Sequence, residues 1–89
     1  MSKSTLLISQ VAIQDLETLW EQTSNYSSKA EADAAYKTVI QGIRKVADDF
    51  TLGQSLESVR DGYRSFSVET YVVFYRADRD GFLEVIRIL

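Results

Sequence analysis

Gly62-Tyr63-Arg64-Ser65, Val72-Val73-Phe74-Tyr75-Arg76 and Val85-Ile86-Arg87-Ile88-Leu89, all in the last third of the sequence, decide the fold. They are rich in β-branched and aromatic residues, and Asp80-Gly81 between the second and third is a strong hairpin signal. Strands are expected over residues 63–68, 70–76 and 82–89. The turns fall near Glu69 and at Asp78-Arg79-Asp80-Gly81. The second and third runs are apolar at consecutive rather than alternate positions, as in strands covered on both faces. Because register cannot be fixed where both faces are apolar, the side to which each residue points stays open.

Upstream the period changes from strand to helix. A short β-prone run, Thr5-Leu6-Leu7-Ile8, precedes Ser9, which stands where a helix N-cap would. Ala12/Ile13, Leu16 and Leu19/Trp20 then recur at three and four residues, so a helix is expected to about residue 23, with Trp20 packed into the core. A polar turn at Ser24-Asn25-Tyr26-Ser27-Ser28 follows. Ser28, with Glu31 three residues on, reads as a capping box. The second helix carries Tyr36, Val39/Ile40, Ile43, Val46/Ala47 and Phe50 on one stripe. Gly42 inside it costs about 1 kcal/mol relative to alanine, which suggests a close approach by the first helix. Residues 51–61 read as irregular.

The sequence therefore describes one domain over residues 1–89, of class α+β and order β-α-α-β-β-β. An antiparallel helical hairpin packs on one face of a four-stranded, mainly antiparallel sheet. The hairpin can blanket only one face of that sheet. An uncovered apolar face set with arginines marks a surface for a partner.

Composition narrows the chemistry. The chain has 89 residues and contains no cysteine, histidine or proline. Thiolate and imidazole nucleophiles, general bases and metal ligands are thus excluded, and with them Ser-His-Asp, Cys-His and zinc arrangements. Absence of cysteine fits a reducing cytoplasm. No apolar run is long enough for a signal peptide or a membrane span. The four glycines are scattered singly, so no phosphate-binding loop is present. Asp48-Asp49 and Asp78/Asp80 are carboxylate pairs at element ends, where acids are commonplace, and carry no metal reading. The formal charge of −3 disfavours nucleic-acid binding. Residues 1–59 hold five basic and eight acidic side chains, whereas residues 60–89 hold five of each, all five bases being arginine. Arginine suits planar contacts with carboxylates.

Three features together carry a resemblance to a known family: the element order, the segment Val59-Arg60-Asp61-Gly62-Tyr63-Arg64-Ser65 with Tyr71-Val72-Val73-Phe74-Tyr75-Arg76, and the ending Val85-Ile86-Arg87-Ile88-Leu89. The helix Ala12-Ile13-Gln14-Asp15-Leu16-Glu17-Thr18-Leu19-Trp20 adds to it. The chain resembles toxins of the ParE branch of the RelE/ParE superfamily over nearly its whole length. The resemblance implies the toxin half of a type II toxin–antitoxin pair, a cytoplasmic protein that poisons DNA gyrase. It implies neither a catalytic site of its own nor any cofactor or metal, and no sequence-specific contact with nucleic acid. It also implies neutralisation by a ParD-type antitoxin that wraps an amphipathic segment over the toxin, and a first strand lying beside the last. Antitoxin contact is expected at Arg64, Phe66, Val73, Tyr75 and Arg76.

The resemblance has two departures. Family members commonly carry proline where this sequence reads Phe50-Thr51-Leu52-Gly53. They also commonly continue past the last strand with a short tail, where this sequence ends at Leu89. Antitoxin binding is therefore expected more directly than toxicity. Two alternatives are ribosome-dependent mRNA cleavage of the RelE type, for which only Arg64 matches a functional position, and a non-toxic interaction module.

Overall fold

A computed structural model describes residues 5–77 and 82–89. The chain runs β1 (Thr5–Ile8), α1 (Gln10–Tyr26), α2 (Lys29–Asp48), a single 3₁₀ turn (Phe50–Leu52), β2 (Gln54–Ser55), β3 (Tyr63–Val68), β4 (Tyr71–Ala77) and β5 (Phe82–Ile88). The expected Asp78-Arg79-Asp80-Gly81 turn lies outside the described residues. The turn between β3 and β4 uses Glu69, whose φ of 55° places it in the left-handed region.

Both helices start where a serine can cap them. Ser9 Oγ accepts from Ala12 N at 3.0 Å, and Ser28 Oγ accepts from Glu31 N at 3.1 Å. Ser9 also donates through Oγ to the Ile86 carbonyl at 2.8 Å, while its amide donates to the Val85 carbonyl at 3.0 Å. One residue thus starts α1 and ties the β1–α1 junction to β5. The first helix continues three residues beyond the expected end, through the polar segment to Tyr26.

The sheet has five strands in the order β1-β5-β4-β3-β2, which corrects the expectation of four. The added strand, β2, pairs Gln54 with Ser65 and Ser55 with Arg64. Two polar residues offer no alternation to read in the sequence. The sheet is also mixed: β1 runs parallel to β5, and the remaining pairs are antiparallel. Between β1 and β5 the chain crosses the helical layer and returns, so the two strands enter the sheet in the same direction.

The helices cover one face of this sheet. Ala12, Leu16 and Leu19 of α1 and Val39, Ile43 and Val46 of α2 meet Val68, Val73, Tyr75, Leu83, Val85 and Ile88 in one core. Ile13 and Tyr36, expected on the buried stripes, are 41% and 40% exposed. Trp20 is half-buried, and its indole Nε1 donates to Asp33 Oδ1 at 2.9 Å, bridging α1 and α2. Gly42 does mark a close approach, but by the sheet and not by α1. A Cβ there would stand 2.5 Å from Val68 Cγ2.

Candidate functional site

Side chains alternate along a strand, so the register assigns each residue to a face. Arg64 pairs with Tyr75, Phe66 with Val73 and Val68 with Tyr71, and all of these lie on the face covered by the helices. The intervening residues Tyr63, Ser65, Ser67, Val72, Phe74 and Arg76 lie on the opposite face, which no helix covers. One row crosses four strands: Tyr63 on β3 is opposite Arg76 on β4, Arg76 is opposite Glu84 on β5, and Glu84 is opposite Leu7 on β1.

The open face combines apolar residues with a charged pair near one end of the β3–β4 ladder. Val72 and Phe74 are half-buried, and Leu7 is 46% exposed. The Arg76 guanidinium sits 5.3 Å from the Phe82 ring centroid and reaches Glu84 Oε1 through Nη2 at 3.2 Å. Arg60, in the loop before β3, lies 5.7 Å from the Tyr63 ring centroid. Cations held over aromatic faces are oriented without losing all of their donors.

Four of the five residues expected to contact a partner belong instead to the covered face. Val73 and Tyr75 are fully buried in the core and present no surface. Phe66 packs against that core. Arg64 donates through Nη1 to the Gly53 carbonyl at 2.9 Å, with its guanidinium 5.5 Å from the Phe50 ring centroid. Only Arg76 stands on the open face. Residues 73, 75 and 76 cannot all point one way on a regular strand. Once Arg76 is placed outward, alternation places Val72 and Phe74 with it.

Tyr75 serves a separate purpose. Its hydroxyl donates to the Phe50 carbonyl at 2.6 Å and accepts from Gly53 N at 3.1 Å. With Arg64 it clamps residues 50–53 to the sheet and thereby delivers β2 to its edge. Burial pushes the Tyr75 phenol above its ordinary pKa. At the other end of the sheet, Arg87 grips Asp15 of α1 through two bonds of 2.9 and 3.1 Å, and Asp15 also accepts from Ile88 N at 2.9 Å. The hydrogen bond from Arg87 is the main reason the Asp15 carboxyl is held below the usual aspartate range.

Among the described residues, no three His, Cys, Asp or Glu side chains gather in a way that could hold a metal ion. No described helix is long and apolar enough to cross a membrane.

Comparison with known families matches residues 6–89 to the ParE toxin of type II toxin-antitoxin system, parDE. The chain belongs to the ParE toxin family. Toxin ParE1 from two strains of Mycobacterium tuberculosis is 28% identical over 86 residues, which span 97% of this chain and 88% of that protein. A solved structure described as the chromosomal ParDE TA system from P. aeruginosa superimposes with a TM-score of 0.80 at 16% identity. The match covers 96% of this chain and 92% of that one. At that identity the likeness speaks for the fold alone.

Proposed function

We propose that this chain is the toxin of a ParDE pair, acting on DNA gyrase in the cytoplasm without catalytic chemistry of its own. A ParD-type antitoxin silences it by laying an amphipathic segment across the open sheet face. The observation that carries this reading is that face itself. In a chain matched to the ParE family over residues 6–89, the helices leave Tyr63, Val72, Phe74, Arg76 and Leu7 together and uncovered. A partly apolar surface that also presents an oriented arginine suits an amphipathic segment carrying a carboxylate.

Arg64, the strand arginine that matches a position of the ribosome-dependent nucleases, is engaged by the Gly53 carbonyl and the Phe50 ring. That engagement favours the gyrase reading over mRNA cleavage. The test is a paired assay on the purified chain: gyrase supercoiling with trapping of cleaved DNA, and cleavage of ribosome-bound message. Gyrase inhibition reversed by the antitoxin is the expected result. Cleaved message with gyrase untouched would replace this reading with the nuclease, and inactivity in both assays would leave an interaction module.

A further inference from the structure

We propose that Glu84 is an internal stand-in for a carboxylate of the antitoxin, and that it releases Arg76 when that carboxylate arrives. This rests on the antitoxin reading given above and adds to it the chemistry of the contact.

The strand arginines differ in how they are held. Arg87 meets Asp15 through two bonds, and the same carboxylate takes a third from Ile88 N. Arg64 is bound to a backbone carbonyl. Among the described residues, Arg76 makes one side-chain bond, of 3.2 Å to Glu84, with the two side chains 46% and 28% exposed. Exposed single-bonded pairs of this kind hold weakly. Yet the guanidinium is not loose, because the Phe82 ring lies against it at 5.3 Å. Arg76 is therefore positioned and, among the described residues, only partly satisfied.

Covering the row Tyr63–Arg76–Glu84–Leu7 with another chain would take this pair out of water. A guanidinium buried with one long bond leaves donors without acceptors, which opposes binding unless the incoming segment supplies them. A carboxylate supplies two acceptors in the geometry that arginine matches best. Glu84 would then be a second negative charge beside the same guanidinium, competing with the newcomer and repelling it. Its place in the free chain is to keep Arg76 occupied on a face otherwise open to chance contacts. A neutral or basic segment could not displace it, so the pair also selects the partner.

The probe is a ParD-type antitoxin, the partner proposed above, titrated by calorimetry into the full chain. Wild type, Glu84→Gln, Arg76→Gln and the double variant are compared, with unfolding midpoints measured alongside. Removing the competitor is expected to tighten binding about two- to fivefold, the scale of an exposed ion pair. Arg76→Gln is expected to weaken binding about thirtyfold or more, because it strands the incoming carboxylate. In the Arg76→Gln background, Glu84→Gln is expected to give no gain. Glu84→Ala serves the same comparison if the glutamine variant unfolds. Unchanged or weaker binding by the Glu84 variants, with wild type binding intact, would overturn the stand-in while leaving the antitoxin reading in place. A gain that persists without Arg76 would also overturn it. Failure of wild type to bind would remove the antitoxin reading and this inference with it.

Discussion

Replacing Tyr75 with phenylalanine isolates the clamp between the sheet and residues 50–53. The ring stays, fully buried among Val39, Ile43 and Val73 in the core, so no cavity opens. What leaves is one oxygen that donates to the Phe50 carbonyl at 2.6 Å and accepts from Gly53 N at 3.1 Å. Each net hydrogen bond is worth about 0.5–1.5 kcal/mol, and more where the abandoned partner stays out of water. Arg64 still holds the Gly53 carbonyl, which keeps the segment from swinging out to solvent. The loss is therefore expected near 2 kcal/mol, about the sum of two such bonds. In a domain of this size that lowers the melting temperature by about 8–16 °C.

The same clamp explains Gly53. A Cβ there would collide with the Tyr75 hydroxyl and stand 2.8 Å from the Ser65 carbonyl oxygen. Gly53→Ala should therefore destabilise wild type strongly and the Tyr75→Phe variant less, a coupling that additive sites do not show. Urea unfolding followed by circular dichroism measures both. A loss below about 0.5 kcal/mol for Tyr75→Phe, the range of substitutions without structural consequence, would show that the hydroxyl does not hold the loop.

Two further predictions concern the frame around the site. Gly42→Ala should gain about 1 kcal/mol of helix propensity and lose more, about 1–3 kcal/mol, to overpacking against Val68. Adding Val68→Ala should recover part of that loss, and a Gly42→Ala variant more stable than wild type would refute the close approach. Asp15, whose carboxyl is held below its ordinary pKa chiefly by Arg87, contributes stability that is present above the unfolded aspartate range. That stability is lost as pH falls from about 4 through the folded-state value. Asp15→Asn should be less stable at neutral pH by about 1 kcal/mol and should flatten the acid limb of the stability profile. Parallel acid limbs for the two proteins would exclude the contribution.

Much of this architecture could be read in the sequence, and what could not has physical reasons. Helix positions were legible because Ala12, Leu16, Leu19, Val39, Ile43 and Val46 repeat at helical spacing behind serine caps. The positions of β1 and of β3, β4 and β5 were legible from β-branched and aromatic runs, whereas β2, Gln54–Ser55, carries no such residue. The two faces were not. Val72-Val73-Phe74-Tyr75 is apolar at every position, so period two carries no sign.

The last strand hides its phase further. Its register shifts opposite Phe74 and Tyr75: Phe74 meets Arg87, whereas Tyr75 meets Val85. Ile86 is the extra residue, and burial passes from Val85 to Ile88 rather than to Arg87. That bulge made the strand look apolar on both faces. The clamp joins residues 22 and 25 positions apart. A buried tyrosine needs a partner for its hydroxyl and a lone glycine often marks close backbone approach, but neither names the other.

The assignment of faces is tested most directly by two neighbouring residues, Val73 and Phe74. Each variant, Val73→Ala and Phe74→Ser, is measured for unfolding free energy and for antitoxin affinity by calorimetry. Val73 is in the core, so its truncation should lower stability by about 2 kcal/mol and leave the affinity of the folded protein unchanged. Phe74 lies on the open face, so its replacement should weaken antitoxin binding about thirtyfold or more, as for a central aromatic contact, with a smaller change in stability. The reverse pattern, with affinity lost at Val73 and kept at Phe74, would contradict the placement of the antitoxin on the open face.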